Sequence, residues 1–171
     1  MTTTATYRQV LRQPHFGRYF TGEAISSVGD SMSEITIVIL ALGLATGDAR
    51  PMAVAAASAA YLVPGILTGV LAGRHLGAVS ARTLLLIDNA WRGAFLGLAA
   101  ALATAGVLGL GAYVALLGLA SLTRPLGAAG SRALVADLVG EDDLFAANSL
   151  INSTVQAAVM LGPAVAGVLA A

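Results

Sequence analysis

Glu23, Ser27, Asp30 and Glu34 stand at helical spacing inside a long apolar stretch. At about 100° per residue these four fall within roughly 60° of one another on a helix. Carboxylates on one face at membrane depth can take up and release protons, or balance the charge of a cation. A charge near the centre of a bilayer costs at least about 2.5 kcal/mol. Such a face therefore looks into water or into protein. Two readings stay open: a cavity-lining or coupling face, and a stripe buried against arginines for packing.

Two more charged features interrupt apolar sequence. Asp88 and Arg92 are an i, i+4 pair on one helix face, able to bond as a structural pair or as part of a gate. Arg124 precedes Pro125 in the run Ser121-Leu122-Thr123-Arg124-Pro125-Leu126-Gly127. Pro125 removes an intrahelical hydrogen bond, so a kink is expected there. Arg124 either snorkels to the cytoplasmic interface or faces inward to pair with Asp30 or Glu34. An inward arginine stays charged and tunes a neighbouring carboxylate without titrating itself. Gly65, Gly69 and Gly73 recur every fourth residue, the pattern of a close-packing helix face. Gly162-Pro163 and Gly167 interrupt a late apolar stretch and are candidate helix-bending positions.

Other chemistries find no residues. The chain has no Cys, which removes disulfides and thiolate metal sites, and His15 and His75 are too far apart in sequence to suggest a metal site. There is no H-E-x-x-H run, and no carboxylate–histidine cluster that would suit an intramembrane enzyme. No cofactor is expected. Formal net charge is zero, so no nucleic-acid footprint is visible. All nine basic residues are Arg, a bias that fits a high-GC bacterial genome.

The elements that hold these residues are five apolar stretches, at about Tyr19–Thr46, Met52–Ala72, Thr83–Ala105, Leu108–Leu126 and Leu144–Ala171. Each is long enough for one bilayer crossing at about 20 residues. Of the 171 residues, 57% are hydrophobic and 11% charged, too few charges to coat a soluble domain of this length. Alternating ten-residue segments of a β-barrel are absent. The expectation is an all-α membrane protein: a tail over residues 1–18 and a transmembrane helical domain over 19–171. The polar tail, with Arg8, Arg12 and Arg18, does not read as a signal peptide.

Arginine placement sets the expected topology. Arg74 and Arg82 fall between the second and third stretches, and Arg132 between the fourth and fifth. The opposite side has only Arg50. The positive-inside rule then puts the N-terminus in the cytoplasm of a bacterial plasma membrane.

Four segments together resemble the N-terminal half of a major facilitator superfamily transporter, and its drug, macrolide and siderophore efflux branch in particular. Tyr19-Phe20-Thr21-Gly22-Glu23 with Ser26-Ser27-Val28-Gly29-Asp30 looks like the family's first-helix signature. Gly69-Val70-Leu71-Ala72-Gly73-Arg74 is similar to its loop between helices 2 and 3, usually G-x-x-x-D-R. Arg124-Pro125-Leu126-Gly127 is similar to the fourth-helix arginine motif of proton-coupled members. The run from Ala133 through Asp137, Asp143 and Ala147-Asn148-Ser149-Leu150, followed by Gly162-Pro163-Ala164-Val165-Ala166-Gly167, looks like the approach to helix 5 and its G-P motif. Three positions depart: Gly73 stands for the loop aspartate, Gly77 falls one residue late, and Ala166 stands for the first glycine of the helix-5 pair.

The resemblance implies an incomplete six-helix bundle of the major facilitator fold. It implies a proton-coupled exporter of a small amphipathic compound. Glu23, Asp30, Glu34 and Arg124 would line the substrate or proton pathway, and Asp88, Arg92 and Arg74 would serve a gate. Pro125, Gly162 and Pro163 would permit bending. The family fold needs six helices in each of two halves. A chain of five is therefore expected to be truncated, or to need a second chain supplying the missing helices. The alternative is a non-transporting membrane subunit or scaffold.

Overall fold

A computed structural model describes residues 7–73 and 79–169. Among the described residues seven α-helices follow one another: α1 (Tyr7–Leu11), α2 (Pro14–Leu44), α3 (Arg50–Ala72), α4 (Ala81–Thr104), α5 (Leu110–Ser121), α6 (Arg124–Leu138) and α7 (Leu144–Leu169). Single 3-10 turns cover Gly47–Ala49 and Glu141–Asp143, and no strand occurs among the described residues.

The described residues contain five candidate membrane spans, with α5 and α6 together forming the fourth. The 24 residues of α4 extend about 36 Å at 1.5 Å per residue, more than the roughly 30 Å of bilayer hydrocarbon. Large apolar side chains stand open on these helices, among them Ile25, Val70, Leu71 and Met160. Outward apolar surface of this extent suits lipid. By helix length and composition this is an all-α, multi-pass membrane protein.

The helix boundaries have local causes. Ser80 Oγ accepts a hydrogen bond from Thr83 N at 3.2 Å, capping α4. Gly106, just past α4, takes φ +71°, a left-handed conformation that glycine adopts without a Cβ clash.

The break between α5 and α6 is the main difference from the sequence reading. The stretch expected to end near Leu126 does not end there, because the chain is helical again from Arg124 to Leu138. Pro125 sits at the second position of α6, where the absent N–H has no intrahelical partner to lose. The interruption is confined to the two residues ahead of it, Leu122 and Thr123, within one candidate span. A proline at that point also leaves the carbonyl four residues back, Ser121 O, without its helical donor. Leu126 N and Gly127 N restart the ladder on Thr123 O, at 2.8 and 3.3 Å.

Backbone contacts group the chain into two compact units, Met1–Thr36 with Ala133–Ala171, and Ile37–Arg132. In the second unit, α5 packs against both α3 and α4. On α3 every fourth residue is buried, through Ala53, Ala57, Tyr61 and Gly65. Ala53, Ala57 and Gly65 at that spacing are small enough to bring two backbones close. A core of Ile37, Ala41, Ala57, Tyr61, Ala99, Leu108, Tyr113 and Leu117 forms around them. Tyr113 OH donates to Ile37 O at 3.3 Å, so the buried phenol is satisfied. Trp91 Nε1 donates to Leu119 O at 2.8 Å and ties α4 to the last turn of α5. The Trp91 ring also lies against Phe95, 4.9 Å between centroids.

In the first unit, α1 lies against α7. Val10, Phe16, Val135, Val139, Ala146 and Ala147 make its buried cluster. Gln13 Nε2 donates to Asp143 Oδ2 at 2.8 Å, joining the turn before α2 to the turn before α7.

Candidate functional site

Asp88 and Arg124, two charged residues of the second unit, both lie at the α5–α6 break. Asp88, on α4, is 5% exposed. Its Oδ1 accepts from Thr123 Oγ1 at 2.8 Å, and Thr123 is one of the two residues of the break. Its Oδ2 lies 3.9 Å from Arg92 Nη2, one helical turn along. The i, i+4 pairing read from sequence is therefore present, at a separation longer than a hydrogen bond. The carboxylate is pressed into the backbone of α6, since a Cβ at Gly127 would overlap Asp88 Oδ2. Three residues further, a Cβ at Gly130 would come within 2.8 Å of Ala81 O and 3.0 Å of Leu84 Cβ. Glycines let α6 lie this close to α4.

On the other side of the break, α3 meets α5 and α6. A Cβ at Gly65 would lie 2.7 Å from Ser121 O, the carbonyl that Pro125 frees. A Cβ at Gly69 would contact Pro125 Cγ at 3.3 Å. Gly65 and Gly69 thus form the close-packing face expected from their spacing. At Gly73 a Cβ would meet nothing within 4 Å among the described residues. Ser121 Oγ donates to Ala60 O at 3.1 Å and Gly118 O at 2.9 Å.

Arg124 opens α6 and lays its guanidinium 4.5 Å from the ring centroid of Tyr61. A cation over an aromatic face is worth about 0.5–1 kcal/mol when exposed and about 2 or more when desolvated. Its Nη1 is buried and has no hydrogen-bond partner among the described residues. Beside it lies an open groove of about 340 Å³, walled by Tyr61, Leu62, Gly65 and Ile66 of α3 and by Arg124, Pro125 and Ala128 of α6.

The acidic stripe belongs to the first unit. The helix α2 is unbroken from Pro14 to Leu44, so Glu23, Ser27, Asp30 and Glu34 do share one face. Their environments differ along it. Tyr19 OH donates to Glu23 Oε2 at 3.2 Å, Ser27 is buried, Asp30 is half-buried and Glu34 is exposed. Ser31 is buried, and a Cβ at Gly162 on α7 would lie 2.5 Å from Ser31 Cβ. The helix α7 runs through Gly162-Pro163 without ending. Arg74 and His75 lie outside the described residues.

Sequence reasoning singled out Asp88, Arg92, Arg124, Gly65 and Gly69 here but missed Tyr61, Thr123 and the role of Gly127. Tyr61 carried a usable signal, because it stands four residues before Gly65 on the same face. Thr123 was visible only as a polar residue beside Arg124-Pro125.

The fold and this cluster define a class: a multi-pass helical membrane protein with buried charge at a helix break. Among known proteins, the chain is 30% identical over 170 residues to one from Sinorhizobium fredii (strain NBRC 101917 / NGR234) described as an uncharacterized MFS-type transporter, y4rN. The match covers 98% of this chain and 40% of that protein, so the chain spans less than half of the relative's length. No protein-family model and no solved structure matches. Five apolar helices are consistent with an incomplete N-terminal bundle of the MFS type.

Proposed function

We propose that the chain is the N-terminal portion of a major facilitator transporter and acts in proton-coupled export of a small amphipathic compound across a bacterial plasma membrane. The observation that carries this reading is the match to an MFS-type transporter along 98% of the chain, in a chain with five candidate spans. Asp30 and Glu34 are its proposed proton carriers or substrate counter-charges, with Glu23 on the same face. Arg124 supplies a fixed positive charge, Asp88 and Arg92 belong to a gate with Arg74, and Pro125, Gly162 and Pro163 allow bending. Half-buried Asp30 and buried Asp88 inside apolar helices support such roles, because charge at membrane depth marks ion and substrate pathways more often than packing; exposed Glu34 is included for its place on the same face as Asp30.

Half of such a transporter does not enclose a site, since substrate binds at the interface of two repeats. The proposed working unit therefore includes further helices, on the same polypeptide or on a partner chain. The test is export from cells carrying the chain with the reading frame that follows it, with and without a protonophore. Export that collapses with the proton gradient supports the reading. Stable co-purification with another membrane protein and no flux under any gradient would favour a non-transporting subunit instead.

A further inference from the structure

We propose that Asn148, Asn152 and Gln156 of α7 line the same water-filled pathway as the acidic face of α2, and that this pathway admits small hydrophilic solutes. This rests on the transport reading above and extends its pathway to a second helix.

The three amides recur every fourth residue, so they fall within about 80° of one another on α7. All three are exposed, inside the candidate span Glu141–Gly162. None has a hydrogen-bond partner among the described residues. Ser149 and Thr154, by contrast, bond back to carbonyls of their own helix. Ala147 and Ala158, turned about 120° or more from Asn152, are buried. The helix thus packs on an apolar side and turns its carboxamides outward, with apolar Phe145 and Val159 bounding the stripe at its ends. Acyl chains offer an amide no hydrogen bond, so this face does not suit lipid. The outward side of α3 is the opposite case, exposing Leu62, Ile66, Val70 and Leu71.

Two contacts fix how α7 runs beside α2. Gln13, just before α2, bonds Asp143, just before α7. A Cβ at Gly162 would meet Ser31. Eighteen residues separate Gln13 from Ser31 and nineteen separate Asp143 from Gly162, so the helices lie parallel and in step. Measured from Ser31, Glu23, Asp30 and Glu34 are rotated by about 60–100° in one sense. Measured from Gly162, the amides are rotated by about 40–120° in the other. In parallel helices, rotations of opposite sense turn both stripes to one side of the α2–α7 contact. The amides stand level with the stretch around Glu23, and Asp30 and Glu34 carry the polar strip onward. From Asn148 to the level of Glu34 it covers about 25 Å at 1.5 Å per residue, most of the roughly 30 Å of hydrocarbon. A packed helix would satisfy amides alone. Three carboxylates on the same side call for water.

The experiment expresses the chain with the reading frame that follows it and labels single-cysteine variants, in native membranes, with a small cationic methanethiosulfonate. Asn148→Cys, Asn152→Cys and Gln156→Cys are compared with Val70→Cys on the outward side of α3, and the unsubstituted protein gives the background. The thiol reacts as a thiolate, which needs water, so the α7 variants should react at least about tenfold faster than Val70→Cys. A rate matching Val70→Cys at Asn152→Cys, the middle of the stripe, overturns the proposal by making lipid or a packed helix the occupant. If the amide variants fail to fold, Ser149→Cys, nearly isosteric and turned about 20° from Gln156, is read against Val70→Cys in the same way. Gradient-driven export with slow labelling removes the α7 pathway and leaves the transport reading. Fast labelling without export under any gradient removes the transport reading and leaves the water-lined face.

Discussion

Thr123 Oγ1 donates to Asp88 Oδ1 at 2.8 Å, so a residue of the α5–α6 break supplies a hydrogen bond to a buried carboxylate on α4. With Arg92 at 3.9 Å, Thr123 makes the shorter of the two contacts. Thr123→Val should cost about 1–3 kcal/mol, the penalty for leaving a buried acceptor short of a donor. Thr123→Ser should retain most of the stability. Thermal unfolding followed by circular dichroism in detergent checks both, and equal melting points for Val and Ser would show the bond to be idle.

Gly127 packs where no side chain fits. Gly127→Ala pushes a methyl into the Asp88 carboxylate and should destabilise by about 1–3 kcal/mol, the usual cost of overpacking. Gly111→Ala is the control, since a Cβ there meets nothing within 4 Å. It should gain up to about 1 kcal/mol from helix propensity. Unfolding midpoints of the two variants should move in opposite directions.

Gly162 and Ser31 make a matched pair across α2 and α7. Gly162→Ala places a carbon 2.5 Å from Ser31 Cβ, so one helix must shift. Gly162→Ala combined with Ser31→Gly should recover stability relative to Gly162→Ala alone. A double-mutant cycle measures this coupling, expected at about 0.5–3 kcal/mol. Strict additivity would mean that the helices do not touch there.

Under the transport proposal, Asp30→Asn should abolish the dependence of export on the proton gradient. Export by this variant that still collapses when a protonophore is added would remove Asp30 from the coupling path. Membrane abundance, measured alongside, separates lost coupling from lost protein.

The sequence makes the spans legible because one long apolar run per crossing is a strong signal. It also shows the Asp88–Arg92 pair, since i, i+4 contact is built into helix geometry. The Gly65–Gly69 face follows for the same reason. The course of α6 is harder to read. Arg124-Pro125-Leu126-Gly127-Ala128-Ala129-Gly130 has the proline and glycines of a connection, and helix propensity argues against it. Close approach to α4 at Gly127 and Gly130 overrides propensity, and that approach is a property of the packed unit. The contacts of Thr123 with Asp88 and of Tyr61 with Arg124 lie 35 and 63 residues apart in the chain. No local spacing encodes them.

Trp91 is the single tryptophan of a chain without cysteine, and its indole N–H is held by Leu119 O, two residues before α5 ends. Because the ring itself is 40% exposed, a change in its emission on unfolding, and not its absolute position, is the native, label-free signal for loss of this contact. Single cysteines can be introduced anywhere else for spectroscopic tags, with no endogenous thiol to remove first.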